Sequence, residues 1–256
     1  MTCFLRPFLV LAALGLTGVA ALVPTLAPLI GRIRSLPEAP PMPESLLVLA
    51  LLAQPALLLI AGVALGVAFA ERAGFVCWIM RRSRGQPASF EAHRLPSTLL
   101  LAALVATAVA VLDLALRARF TSAYGALPRL DDVPAPARLA ALLYGGITEE
   151  LVMRFGLMSA ITAVGVRLLG RRPPALVATA ILVSALFFGM AHLPAVLTLA
   201  PSEGVILART IGLNAVLGVL YGWLYATRNL EHAMLAHVAT HGVFWTATPL
   251  LAALAG

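Results

Sequence analysis

The chain has few charged residues, few aromatic residues and no lysine, although it is 256 residues long. Only 11% of its residues are charged and 61% are hydrophobic, which gives a mean hydropathy of +0.97. A soluble globular domain carries about 25% charged residues, so this composition excludes one. Several apolar stretches reach the roughly 20 residues that an α-helix needs to cross a bilayer. The sequence therefore predicts an all-α, polytopic membrane helical bundle with about seven to eight transmembrane helices.

The absence of lysine leaves arginine as the source of all eighteen cations, and the net charge is +7. Most arginines lie in short loops between apolar runs, where the positive-inside rule places them, so they do not indicate nucleic acid binding. Arginine without lysine is typical of a GC-rich genome, and we expect an integral protein of a bacterial plasma membrane. The two cysteines, Cys3 and Cys77, lie in or near separate apolar segments and form no metal or redox motif.

Seven apolar runs are predicted to cross the membrane. Residues 1–136 contain three of these spans and a short patch, Gly74 to Met80, predicted as an eighth, interfacial element. Residues 137–256 contain the other four, and the chain has no internal repeat or low-complexity linker, so both parts are expected to form one membrane domain. The first run resembles a signal peptide, but its length favours a retained helix. The predicted spans are 7–30, 45–70, 97–116, 137–168, 174–200, 204–227 and 231–255.

The arginines of the predicted loops give an orientation. Ten lie on the side of the N-terminus and six lie on the other side. Because cytoplasmic loops are enriched in arginine, the N-terminus is predicted inside and the C-terminus outside. Within the spans, Asp113 is predicted to pair with Arg117 at the surface, one helical turn away, and Arg209 is predicted to extend to the interface.

Two adjacent glutamates, Glu149 and Glu150, lie within the fourth apolar run. A charged side chain at membrane depth costs several kcal/mol, so such residues are rare and usually functional. Glu150 precedes Arg154 by one helical turn, which is the favoured order for a helical ion pair. Glu149 points about 100° away around an α-helix and has no such neighbour. The sequence therefore predicts one neutralised glutamate beside one that faces another group.

Three histidines, His192, His237 and His241, follow in the later apolar runs. Singly, each is more typical of a structural hydrogen bond than of catalysis. Helices rise about 1.5 Å per residue, so Glu149 and His241 are predicted near the middle of the bilayer. His192 joins them if its helix continues past Pro194, and lies at the surface if the helix ends there. Together with the two glutamates, the histidines indicate chemistry within the membrane.

Three motifs resemble those of a known family, the CPBP intramembrane proteases. Glu149-Glu150-Leu-Val-Met-Arg154 matches the family's EExxxR, and Phe188-Gly-Met-Ala-His192 matches its FxxxH. His237-Val-Ala-Thr-His241 stands where the family has a histidine followed four residues later by asparagine or aspartate. The family includes CAAX prenyl endopeptidases and bacterial relatives linked to bacteriocin processing and immunity. The similarity covers about residues 137–245, so residues 137–256 are expected to form the CPBP-like core.

The resemblance implies an intramembrane endopeptidase that hydrolyses a peptide bond near the membrane without an obligatory metal. It implies that Glu149 activates a water molecule, that His192 helps to position this water, and that His237 holds the oxyanion together with residue 241. A second glutamate and an arginine would form a structural pair. The expected site residues are therefore Glu149, His192, His237 and His241, supported by Glu150, Arg154 and Phe188.

Residue 241 departs from the family pattern. An asparagine amide always donates a hydrogen bond, whereas a neutral histidine donates from one nitrogen only, which makes an oxyanion role at His241 less secure. The change also places two histidines four residues apart, a spacing that can bind zinc. A zinc-dependent protease is therefore an alternative, with His192, His237, His241 and Glu149 as ligands.

A second alternative is a non-catalytic immunity or scaffold protein with the same fold. Retention of Glu149, His192 and His237 argues against it, because a binding protein has little reason to keep charges at membrane depth. A transporter would predict broken helices in related halves, and the sequence shows no such symmetry. The expected partners are the lipid bilayer and a peptide or membrane-protein substrate, prenylated or not, and the oligomeric state is left open.

Overall fold

The computed structural model describes residues 2–38, 41–125, 127–199 and 203–255, and within them every regular element is helical. Six helical segments are long and apolar enough to cross a membrane. The predicted all-α, polytopic membrane bundle is thus confirmed, and Ala200, the last residue of the fifth predicted span, lies outside the described residues. The six segments are Cys3–Thr25, Glu44–Phe69, Ala92–Arg119, Ala135–Leu169, Pro174–Leu197 and Gly204–Thr227.

These segments and their connections comprise twelve α-helices in the described residues. Short 3₁₀ turns at Val23–Thr25 and Ala92–Arg94 extend the first and third segments. The α-helices are α1 Thr2–Ala21, α2 Ala27–Arg34, α3 Glu44–Phe69, α4 Trp78–Ser83, α5 Leu95–Arg119, α6 Thr121–Tyr124, α7 Ala135–Ala140, α8 Ser159–Leu169, α9 Pro174–Ala191, α10 Leu193–Leu197, α11 Gly204–Thr227 and α12 Leu230–Ala255.

The fourth segment is wound differently from the others. Its helix begins at Ala135, two residues before the predicted span, because Pro136 suits the first turn of a helix. Between α7 and α8 it contains two π-helical stretches, Ala141–Glu149 and Leu151–Met158. A π-helix has i→i+5 hydrogen bonds and occurs frequently at functional sites. Glu150 lies at the junction of the two stretches.

Glycines allow two close helix contacts around this segment. A Cβ on Gly62 of α3 would lie 2.8 Å from the Cα of Val152, so only glycine permits the observed approach. A Cβ on Gly218 of α11 would lie 2.9 Å from the Cα of Ala185 on α9. Both contacts agree with the packing role that glycines spaced at GxxxG have in membranes. They bring α3 close to the glutamate-bearing helix and α11 close to α9.

The short helix α4 begins within the predicted interfacial patch, Gly74 to Met80, and is too short to span a membrane. Its first backbone N–H groups, those of Trp78 and Ile79, donate to the Glu231 carboxylate of α12 at 3.0 and 2.9 Å. The Cys77 thiol also donates to Glu231, at 3.3 Å. Burial, followed by the Glu231 charge, raises the pKa of this thiol well above its usual range, so Cys77 stays protonated. The helix is therefore docked on α12.

Helix α12 is 26 residues long and corresponds to the last predicted span. It is less apolar than the six segments because it carries Glu231 and three histidines, and its crossing of the membrane stays a prediction. The helix nevertheless packs against α5 and α11 along the bundle. Its buried side chains include His232 and His237.

The predicted surface pair of Asp113 and Arg117 is wrong. Asp113 is buried and accepts hydrogen bonds from Arg209 of α11, with Nε and Nη2 both 2.7 Å from Oδ1. Arg209 therefore does not extend freely to the interface. Arg117 instead donates to the backbone carbonyls of Leu127 and Pro128 at 3.0 and 3.1 Å. Spacing along one helix could not show that a cation on a distant helix competes for the same carboxylate.

Candidate active site

A cavity of about 320 Å³ lies between the π-helical segment, α9, α11 and α12, and reaches the end of α1. All four predicted catalytic residues line it, together with Phe188. Its other polar lining residues are Thr25, Tyr144, Asn214, Tyr221 and Thr240. Four separate helical segments thus bring together residues that are up to 92 positions apart in the chain. The four expected side chains that share this cavity are Glu149, His192, His237 and His241.

The two adjacent glutamates have different environments. Glu149 is half-buried and lines the cavity. Within the described part of the chain, its carboxylate makes no ion pair and accepts no hydrogen bond. Glu150 is fully buried, and the Nη1 atom of Arg154 lies 3.1 Å from its Oε1 atom. The structure therefore places one carboxylate in the cavity and pairs the other, which is the division that the sequence predicts.

The buried pair also contacts a predicted catalytic residue. The Oε1 atom of Glu150 lies 2.9 Å from Nδ1 of His237, which is hydrogen-bonding distance. Arg154 is fully buried, and its Nη2 donates to the backbone oxygen of Gly218 at 3.1 Å. Its guanidinium carbon lies 4.5 Å from the ring centre of Phe188, a cation–π distance. Glu150 and Arg154 thus connect the glutamate-bearing helix to α9, α11 and α12.

Aromatic rings hold His237 and His241 in a stacked column. The His237 ring stacks on Tyr221 with centroids 4.4 Å apart and planes 17° from parallel. On its other side it faces His241, with centroids 5.1 Å apart. Trp245 continues the column at 6.0 Å from His241. Residues 237, 241 and 245 are four apart and therefore lie along one face of α12.

A family model matches the part of the chain that carries Glu149, His192, His237 and His241. Residues 132–243 match the family model described as "Type II CAAX prenyl endopeptidase Rce1-like". This segment of the chain is similar to the CPBP/CAAX proteases. Searches of the curated proteins and of the solved structures found no match. The matched segment contains all three motifs and agrees with the resemblance predicted over 137–245. The matched model is that of a peptidase, and the six apolar segments indicate an integral membrane protein.

The hydrogen bonds of two histidines fix where their protons lie in the neutral state. The Nδ1 atom of His192 is 2.8 Å from the backbone oxygen of Phe188. A carbonyl oxygen only accepts, so Nδ1 carries the proton and Nε2 carries a lone pair. The same argument applies to His237, whose Nδ1 faces the Glu150 carboxylate. When neutral, both imidazoles therefore offer an acceptor through Nε2.

Gly145 gives the two stacked imidazoles room beside the π-helical stretch. A Cβ at this position would lie 3.0 Å from Nε2 of His241 and 3.4 Å from Nε2 of His237. These distances show that both Nε2 atoms face the backbone of the helix that carries Glu149. A larger residue at position 145 would therefore displace the imidazoles or fill the cavity between them and the helix.

Replacing Gly145 with alanine is expected to lower peptide cleavage about a hundredfold, because small displacements of catalytic groups have effects of this size. Alanine stabilises a helix relative to glycine, so lost stability would not explain the result. The matched control is Gly242→Ala beside His241, where a Cβ meets no heavy atom within 4 Å. Cleavage rates and thermal unfolding midpoints of both variants check the prediction. Equal activity of the two variants would contradict it.

Sequence reasoning missed the other five polar residues of the cavity, among them Tyr144 and Asn214. In an α-helix, Tyr144 would lie about 140° around the helix from Glu149, five residues later. The i→i+5 winding of Ala141–Glu149 brings the two onto one face, and both line the cavity. Asn214 of α11 donates from Nδ2 to the backbone oxygen of Thr210 at 2.8 Å. Its second amide hydrogen and its oxygen make no hydrogen bond in the described residues.

In the zinc-dependent alternative, His192, His237, His241 and Glu149 would be the metal ligands. Among residues 2–38, 41–125, 127–199 and 203–255, no three His, Cys, Asp or Glu side chains are grouped closely enough to hold a metal ion. The arrangement in the structure therefore does not fit a three-ligand zinc site. No step of the proposed reaction is routed through a metal.

Proposed function

We propose that this protein is an intramembrane endopeptidase in which Glu149 activates water for hydrolysis of a peptide bond. The main support for the proposal is the cavity, where three imidazoles lie beside one carboxylate that has no protein partner among the described residues. A carboxylate at membrane depth is costly, and no structural contact within the described part of the chain explains Glu149. The neighbouring Glu150 does have structural contacts, with Arg154 and His237. It therefore has a supporting role and does not line the cavity.

The water molecule would be held by two acceptors. The Glu149 carboxylate and Nε2 of neutral His192 each accept one hydrogen from it, which leaves an oxygen lone pair for the substrate carbonyl. As the oxygen attacks the carbonyl carbon, one proton passes to Glu149. The same proton then passes to the leaving nitrogen as the C–N bond breaks. The products are a carboxylic acid and an amine, and Glu149 regains its charge.

The negative oxygen that forms during attack needs hydrogen-bond donors. His237 donates from Nε2 only as an imidazolium, since its Nδ1–H faces Glu150, and the Glu150 charge would then balance it. His241 contributes a further Nε2 atom that is buried and without a hydrogen bond in the described residues. The phenol of Tyr144 adds an O–H donor, which we place at the oxyanion because π-helical winding aligns it with Glu149.

Replacing Tyr144 with phenylalanine is expected to lower kcat about a hundredfold with little change in KM. An oxyanion donor forms its strongest hydrogen bond in the transition state, so its loss affects the chemical step. The control is Tyr225→Phe, which removes a hydroxyl that bonds Ser159 at 2.8 Å away from the cavity. Steady-state kinetics with one cleaved peptide check the prediction. A rise in KM at constant kcat would instead assign Tyr144 to ground-state binding.

The experiment that tests the function is cleavage of a quenched fluorescent peptide library by detergent-purified protein. Each peptide is offered with and without a prenylated cysteine, and each reaction is run with and without a zinc chelator. We expect the wild type to cleave a peptide, and we expect the chelator not to inhibit this cleavage. Glu149→Gln, prepared in parallel, should cleave no peptide. Equal cleavage by both proteins would overturn the proposal, and cleavage abolished by the chelator would replace it with the zinc mechanism.

The location and substrate class follow from the same proposal. We place the protein in a bacterial plasma membrane with the N-terminus inside and the C-terminus outside, because ten arginines lie at the N-terminal end of the bundle and six at the other. The substrate is a peptide or a membrane protein whose scissile bond reaches the cavity. A non-catalytic immunity or scaffold role would require Glu149→Gln to retain full biological activity.

A further inference from the structure

The net charge of the protein is confined to one end of the bundle. Hydrogen bonds between the connections define this end: Arg84 donates to the backbone oxygens of Cys3 and Val67, and Leu230 N donates to Val76 O. Ten arginines and three glutamates lie there, against six arginines and five carboxylates at the other end. We call it the arginine-rich end. Its arginines are Arg6, Arg72, Arg81, Arg82, Arg84, Arg94, Arg167, Arg171, Arg172 and Arg228.

A cavity of about 660 Å³ lies at the arginine-rich end between the end of α3 and α8. We call it the α3–α8 cavity. Two arginines, Arg72 and Arg167, line it, and no carboxylate of the described residues does. Its other lining includes the apolar side chains of Phe69, Ala163 and Val164. The cavity thus combines two positive charges with an apolar wall.

Both arginines of the α3–α8 cavity lack a protein partner. In the described part of the chain, neither guanidinium group forms an ion pair or a hydrogen bond, although Arg72 lies 5.8 Å from the ring centre of Phe69. Nearby arginines differ in this respect. Arg84 pairs with Glu71 at 2.6 Å, and Arg172 donates to the backbone oxygen of Ala73 at 2.7 Å. Two unpaired cations therefore face the same apolar-walled space.

The cavity also borders the lipid-facing surface. Val164 is 51% exposed, and Leu168 and Leu169 at the end of α8 are 80% and 56% exposed. On a helix that crosses a membrane, such side chains face acyl chains. Arg167 lies in the last turn of α8 and Arg72 lies three residues after the end of α3, where the headgroup region begins. The two guanidinium groups therefore lie at the depth of the lipid headgroups, where they could bind a phosphate. The apolar wall of the cavity lies next to them, at the depth of the acyl chains.

We propose that the α3–α8 cavity binds an anionic phospholipid, with its phosphate between Arg72 and Arg167 and an acyl chain along Phe69, Ala163 and Val164. Guanidinium groups bind phosphate oxygens in a bidentate manner, and basic pockets between membrane helices bind anionic headgroups. The site lies apart from the candidate active-site cavity and shares no lining residue with it. Helix α8 continues the segment that carries Glu149, so a lipid bound to α8 would stabilise the position of that segment.

The test measures binding of phosphatidylglycerol and phosphatidylcholine to the full chain in detergent, by native mass spectrometry. Wild type is compared with the double variant R72Q/R167Q and with R6Q/R82Q. Arg6 and Arg82 are exposed, lie at the same end, and make no side-chain hydrogen bond or ion pair in the described residues. The control therefore removes the same charge from the same end without touching the cavity. Inorganic phosphate is added in a separate arm.

We expect wild type to retain phosphatidylglycerol in preference to phosphatidylcholine. R72Q/R167Q should weaken this binding on the order of thirtyfold, as expected for two arginines near an anionic lipid, and R6Q/R82Q by less than about threefold. Inorganic phosphate should not displace the lipid, since it lacks the acyl chain. If both double variants lose the same amount of phosphatidylglycerol binding, the effect is one of general surface charge, and the proposal is overturned. Equal retention of both lipids by wild type would overturn it without any variant.

Discussion

Replacing Glu149 with glutamine is expected to lower the rate of peptide cleavage about a thousandfold and to leave the thermal unfolding midpoint almost unchanged. The rate falls because a glutamine amide cannot take a proton from water, and general bases contribute effects of this size. The fold is unaffected because the Glu149 carboxylate contacts no partner in the described residues and lines a cavity. Cleavage kinetics and thermal unfolding in the same detergent measure both quantities.

One control variant, and two outcomes that would contradict the prediction, complete this test. Glu149→Asp keeps a carboxylate but withdraws it by one methylene group, so it should retain a measurable fraction of the activity. Wild-type activity in Glu149→Gln would show that this carboxylate is not the general base. The imidazoles would then be the candidates for that role. A large loss of stability in Glu149→Gln would contradict the absence of structural contacts at this side chain.

The sequence predicts the parts of this site that depend on local spacing. The Glu150–Arg154 pair is four residues apart, and both an α-helix and the observed helix bring these side chains together. The stacking of His237 on His241 follows in the same way from one face of α12. The membrane fold is predictable because long apolar runs have few alternatives to a helix in lipid.

Tertiary contacts and departures from α-helical winding were not predictable. Tyr144 enters the cavity only through π-helical winding, which no residue pattern in the chain specifies. Both alternatives considered for His192 were incomplete, because α9 ends at Ala191 and a separate short helix begins at Leu193. The hydrogen bond from His237 to Glu150 joins residues 87 positions apart. These features are set by packing between segments and not by spacing within one.

Replacing Glu150 with glutamine is expected to lower the free energy of unfolding by about 3 kcal/mol or more. The change leaves Arg154, which is fully buried, without its counter-charge, and breaking a buried ion pair from one side costs about this much. The double variant Glu150→Gln/Arg154→Met removes the uncompensated cation as well and should recover part of the loss. Denaturant unfolding of the three proteins in one detergent gives the values. Equal stability of Glu150→Gln and wild type would contradict the prediction.

The double variant also separates the structural effect of Glu150 from its effect on His237. In both variants, glutamine can still accept from Nδ1 of His237, but it no longer balances an imidazolium. If Glu150 acts only in packing, cleavage should return together with stability in the double variant. If the Glu150 charge supports a protonated His237 at the oxyanion, kcat should stay low in the double variant at every temperature where the protein is folded. Adjacent glutamates would then serve one reaction in different ways, Glu149 through water and Glu150 through His237.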